Sequence, residues 1–115
     1  MLRDEAAAAR VENVIAGGDA LVSWINLGEV FYIEARRVGE DAAADAVAAV
    51  AATLTAEVPD EQLVLSAARL KARHELSYAD AFAVATAERH RATLLSGDPE
   101  IVRLSPAVDI EDLRA

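Results

Sequence analysis

L-S-Y-A-D-A-F-A-V-A-T-A, residues 76–87, is a run fit for a helix buried on most sides, and Asp80 is its only charged residue. A carboxylate in such surroundings needs a reason, because taking its charge out of water is costly. Eighteen residues later, after the β-like run 92–95, comes Ser96-Gly97-Asp98-Pro99, a loop that places a second carboxylate just past a strand. A helix over 78–90 descends at ~1.5 Å per residue and a strand climbs back at ~3.3 Å per residue, so Asp80 and Asp98 should end near the same sheet edge. Upstream, Leu21-Val22-Ser23 leads into W-I-N-L-G-E-V-F-Y, a strand running into a helix that carries Glu29 in its first or second turn. Three carboxylates are thus expected to converge at one edge, and in open α/β sheets the crevice beyond the carboxyl ends of the strands is where ligands bind.

The rest of the chain supplies alternating elements. Residues 4–15 read as a helix with Val11, Val14 and Ile15 on its buried face and Gly17-Gly18 at its end. A strand is expected at 20–23 and a helix at 25–38, with Leu27, Val30, Phe31, Ile33 and Val38 inward and Gly39 as its stop. Residues 40–55 read as a helix and 55–58 as a short strand, after which Asp60 is placed to cap a helix running to residue 74. A last strand is expected at 107–110. Strands alternating with helices imply an α/β fold with a mostly parallel sheet covered on both faces.

At 115 residues the chain is one domain, residues 1–115, with no linker or internal repeat to divide it. The absence of cysteine excludes disulfides and thiolate zinc sites and suits a reducing compartment. No apolar run approaches the ~18 residues of a membrane span, and M-L-R-D-E is unlike a signal peptide, so a cytoplasmic protein without membrane contact is expected. A net charge of −9 argues against broad nucleic-acid binding through a basic surface. It does not exclude a nuclease, because carboxylates that bind a cation count as surplus charge until the metal arrives. Basic side chains are still grouped at Arg36-Arg37, at Arg69, Lys71, Arg73 and His74, and at Arg89, His90 and Arg91, where solvated helix ends are the ordinary explanation.

Each acid has a structural explanation of its own. Ser77-x-x-Asp80 matches a capping box; Asp98 before Pro99 suits the N-cap of a short helix; Glu29, with Asn26 one turn earlier, suits a solvated helix face. These readings leave the common location of the acids unexplained. Clustered carboxylates without cysteine or histidine suit a hard, oxygen-seeking cation, Mg²⁺ or Mn²⁺, which lowers the pKa of bound water and stabilises charge on a phosphodiester. His74 and His90 fall at helix ends and read as surface residues, and no glycine-rich phosphate loop is present.

Three motifs in order, A-L-V-S-W-I-N-L-G-E-V-F-Y, L-S-Y-A-D-A-F-A-V-A and A-T-L-L-S-G-D-P-E, resemble the PIN-domain endoribonucleases of the VapC toxin type. The resemblance implies a three-layer α/β/α fold, Mg²⁺-dependent RNA cleavage, homodimerisation and neutralisation by a cognate VapB-like antitoxin. Carried over onto this chain it makes Glu29, Asp80 and Asp98 the acidic site, with Asn26 and Ser96 as supporting polar groups. Members of the family normally begin with a central strand ending in another aspartate. Met1-Leu2-Arg3-Asp4-Glu5 looks like the stretch just after that strand, so Asp4 and Glu5 do not match its acid, and the expectation is an N-terminally truncated domain. Two rivals stand beside this reading: a catalytically inactive PIN-like protein that keeps antitoxin or dimer contacts, and an unrelated α/β phosphotransfer domain.

Overall fold

The computed structural model describes residues 2–114, with side chains from residue 6 onward; the side chains of Asp4 and Glu5 lie outside the described set. The elements are α1 (Leu2–Ala16), β1 (Leu21–Ser23), α2 (Trp24–Val38), α3 (Glu40–Thr53), β2 (Thr55–Glu57), α4 (Glu61–Arg73), α5 (Tyr78–Arg89), β3 (Leu94–Ser96), α6 (Pro99–Val102) and β4 (Ile110–Asp112).

Local chemistry sets most of the boundaries. Gly18 closes α1 with φ +84°, and Gly39, at φ +99°, ends α2 and starts α3, a conformation that costs glycine least. Ser23, Asp60, Ser77 and Asp98 each accept a backbone N–H at a helix start, and Pro99 comes directly after Asp98, where its missing N–H is harmless. Two strands start later than expected. Arg91 turns at φ +51° and the Ala92 N–H bonds the Ala87 carbonyl, so residues 91–92 finish α5 and β3 begins at Leu94. The turns after α6 likewise continue through Val108, whose N–H bonds the Leu104 carbonyl, delaying β4 to Ile110.

The expected parallel pairing is present, but the sheet is divided. β1 pairs with β2 in the register Val22 to Ala56, and β3 pairs with β4 in the register Leu95 to Glu111. Among the described residues no ladder joins the two pairs. Between them runs a cleft of about 590 Å³ with β1 and β3 as walls, α5 as floor and the Val11, Val14 and Ile15 side of α1 as roof. Thr86 of α5 lines this cleft; it is 2 % exposed and its hydroxyl has no partner among the described residues.

α5 is enclosed as its composition demands. Ala81, Phe82, Val84, Ala85, Thr86 and Ala87 are all buried, and the main core joins this helix to Leu63 and Ala67 of α4, Leu76, Ile101 and Val108. The buried side of α2 is narrower than its periodicity suggests. Leu27 is buried and Phe31 half-buried one turn on, whereas Val30, Ile33 and Val38, expected inward, are 39 %, 51 % and 47 % exposed. The reason is that α2 packs against α3 and α5 along the Leu27 side, leaving its other apolar residues uncovered. Among the described residues no helix is long and apolar enough to cross a membrane.

Candidate acidic metal centre

Three chain reversals deliver the site. β1 ends at Ser23 and passes directly into α2, which carries Asn26 and Glu29; the Ser77 cap starts α5 and so puts Asp80 in its first turn; β3 ends at Ser96, and Gly97 leads to Asp98 at the head of α6. The Asn26 amide donates to the Ala79 carbonyl at 2.8 Å, tying α2 to the first turn of α5 beside Asp80. Ser96, the last residue of β3, accepts the Asp98 N–H at 3.0 Å and fixes the turn. Asn26 and Ser96 therefore position the acids through the backbone.

Carboxylate oxygens of Asp80, Asp98 and Glu100 all lie within 4.8 Å of one another. Octahedral Mg²⁺ at ~2.1 Å from its ligands sets their oxygens roughly 3 to 4 Å apart, so this all-oxygen set fits such an ion with modest closure. Burial raises the Asp80 carboxyl first, the hydrogen bond and charge of Asp98 next, and the charge of Glu29 also contributes, while Ser77 opposes them; the net result is a pKa of about 6. Glu29 is thus close enough to act on Asp80, but it stands outside the tight group.

The capping geometry is present as well. The Ser77 hydroxyl accepts the Asp80 N–H at 3.1 Å while the Asp80 carboxyl itself hydrogen-bonds with Ser77 and Asp98, and one oxygen of Asp98 accepts the Glu100 N–H at 2.9 Å. Glu100 does not stand out in the sequence, although it belongs to the A-T-L-L-S-G-D-P-E motif. Its signal is position: two residues past an N-cap, it is turned back toward the capping acid. Arg114 is a second residue that sequence reasoning misses; held by Asp112 through a salt bridge at 3.0 Å, it also feels the charge of Asp98. His74 and His90 are both exposed, as expected, with His90 bound to Glu57.

An α/β domain with helices on both faces and acids gathered beyond the ends of its parallel strands is the class defined by this geometry. A family model described as PIN domain matches residues 1–105, and the chain belongs to the PIN domain family. Among solved structures it is similar to a chain of VapBC-1 from nontypeable Haemophilus influenzae, with a TM-score of 0.72 and 16% sequence identity over 96% of this chain and 87% of that one. No curated protein matches the chain.

Proposed function

We propose that this chain is a VapC-like toxin, a Mg²⁺- or Mn²⁺-dependent endoribonuclease acting in the cytoplasm and neutralised by a VapB-like antitoxin. The observation that carries the reading is the oxygen-only focus of Asp80, Asp98 and Glu100 at the head of α5. A bound divalent cation would supply an activated water and neutralise charge on an RNA phosphate. Asp80 and Asp98 hold the ion, Glu100 completes the close set, and Glu29 acts from one step further out. Asn26 and Ser96 keep the acids in register. The raised proton affinity of Asp80 fits this role, since a site that resists its own negative charge gains most from a cation.

The likeness to a chain of a VapBC structure supports an antitoxin partner, and the uncovered apolar residues of α2 support a homodimer. The test is cleavage of single-stranded RNA by purified protein with Mg²⁺ or Mn²⁺, compared with chelator and with Asp80→Asn. Metal-independent cleavage, or cleavage unaffected by Asp80→Asn, would remove the assignment. Co-expression with the product of an adjacent reading frame should yield a stable complex.

One observation favours a second reading, a PIN-like binding protein without activity. The cleft between β1 and β3 leaves the acids supported by two separate strand pairs. Intact antitoxin binding with no cleavage in any divalent metal would select this alternative.

A further inference from the structure

β3 and β4 run in parallel with Ser96 opposite Asp112, and just past them the Leu113 N–H bonds the Ser96 carbonyl at 3.0 Å. Carried forward along both chains, this register brings Arg114 beside Asp98. Two observations agree with that placement. A Cβ added at Gly97 would lie 3.5 Å from Cγ of Arg114, so the aliphatic stem of the arginine lies along the turn into Asp98. The charge of Asp98 also acts on the Arg114 guanidinium.

Asp112 holds this guanidinium in place. It accepts Nε at 3.1 Å and Nη2 at 3.0 Å, a two-pronged bond, and accepts the Arg114 backbone N–H at 2.8 Å. An exposed ion pair of this kind contributes little to stability. Neutralising Asp112 accounts for the pair but not for its place, at the sheet edge where Asp98 gathers with Asp80 and Glu100. Arg10, Arg37 and Arg89 also bind acids, yet their partners are Glu111, Glu34, Glu57 and Asp60, none of which belongs to the acidic focus.

We propose that Arg114, leashed by Asp112, is a built-in counter-cation of the acidic focus and sets how tightly that focus binds a divalent ion. The inference rests on the metal reading of the site, and within it Arg114 is a positioning residue that acts through Asp98. Carboxylate oxygens of Asp80, Asp98 and Glu100 within 4.8 Å of one another repel, and a fixed positive charge beside Asp98 offsets part of that repulsion. The same charge opposes an entering cation, and because Coulomb repulsion scales with charge it opposes a divalent ion more than a monovalent one. The focus therefore fills at a higher metal concentration than its acids alone would require.

The experiment measures Mn²⁺ binding to metal-free protein at pH 7.5 by electron paramagnetic resonance, in low and in high salt. Arg114→Gln should tighten binding by about threefold, the scale of one exposed charge pair, and the gain should shrink in high salt as screening takes over. Arg114→Lys keeps the charge without the planar fork and should bind as wild type does. Asp112→Asn should weaken binding, because it removes a nearby negative charge and frees the guanidinium to close on Asp98. Arg37→Gln makes the same change of net charge at the far end of α2, about 12 Å along the helix from Glu29, and should shift binding much less. Unchanged or weaker binding by Arg114→Gln, an equal gain in Arg37→Gln, Arg114→Lys behaving as Arg114→Gln, or no Mn²⁺ binding by wild type would overturn the counter-cation. If the variants shift Mn²⁺ binding as expected while wild-type protein cleaves no RNA in any divalent metal, the nuclease reading fails and the counter-cation stands. If wild-type protein cleaves RNA with metal while Arg114→Gln binds Mn²⁺ as wild type does, the counter-cation fails and the nuclease stands.

Discussion

Asp80 faces Asp98 at the head of α5, and burial there, together with the hydrogen bond and charge of Asp98, pushes the Asp80 carboxyl up to about 6. The ordinary value is 3.8, so the folded chain keeps a proton that the unfolded chain has already released. The associated stability is complete below pH ~4 and is lost as pH rises through ~6. Asp80→Asn should escape this loss. In metal-free thermal melts from pH 4 to 8, the variant should gain on wild type as pH rises and lead it at pH 7. The full shift would be worth about 3 kcal/mol, which water at this half-exposed site reduces to about 1–2 kcal/mol. A difference that stays constant with pH would show that Asp80 is not held in this way.

Divalent cations should reverse the penalty. At pH 7.5, Mg²⁺ or Mn²⁺ at about ten times its dissociation constant should stabilise wild-type protein by about 1.4 kcal/mol. Melting temperature against metal concentration measures it. Asp80→Asn and Glu100→Gln should flatten the curve, and Glu29→Gln should weaken it less, because Glu29 lies outside the close set. A larger effect at Glu29 than at Glu100 would contradict the assigned arrangement.

Asn26→Ala tests positioning apart from ligation. Losing the 2.8 Å bond to the Ala79 carbonyl should cost about 1 kcal/mol in chemical denaturation. It should also weaken metal-induced stabilisation, although no carboxylate is removed. Unaltered metal response with the same stability loss would confine Asn26 to a structural role.

Thr86→Val probes the divided sheet. The Thr86 hydroxyl is buried without a partner among the described residues, so replacing it with a methyl group of similar shape should be neutral or stabilising by about 1 kcal/mol. A β-forming apolar segment of roughly a dozen residues joined ahead of α1, enough for a strand and its turn, should fill the cleft, raise the melting temperature and suppress hydrophobic-dye binding. Dye binding and melting that ignore the added segment would show that the cleft does not accept a strand.

The site is legible in the sequence where chemistry is local. Ser77, Asp60 and Asp98 announce helix starts by residue type and by the apolar or proline residues just beyond them, and residues 76–87 announce the burial of α5 by having a single charge among small apolar residues. Glu100 is inconspicuous because an acid in the first turn of a helix is ordinary, and only its return toward Asp98 makes it part of the focus. Val30, Ile33 and Val38 lie outside the core because apolar spacing defines a stripe without naming which neighbours arrive to cover it. The three-residue strands leave little alternation to read, so β3 and β4 sit later than expected where the turns before them take up extra residues.

Each strand pair is built from one continuous stretch of chain, residues 21–57 for β1 and β2 and residues 94–112 for β3 and β4, and α5 packs closely against both pairs. The two halves therefore need not be protected from solvent exchange as one unit. Amides of each pair should exchange at a rate governed by its own local opening, while those of α5 persist until both halves are lost, so cooperativity is transmitted through a helix rather than across a sheet.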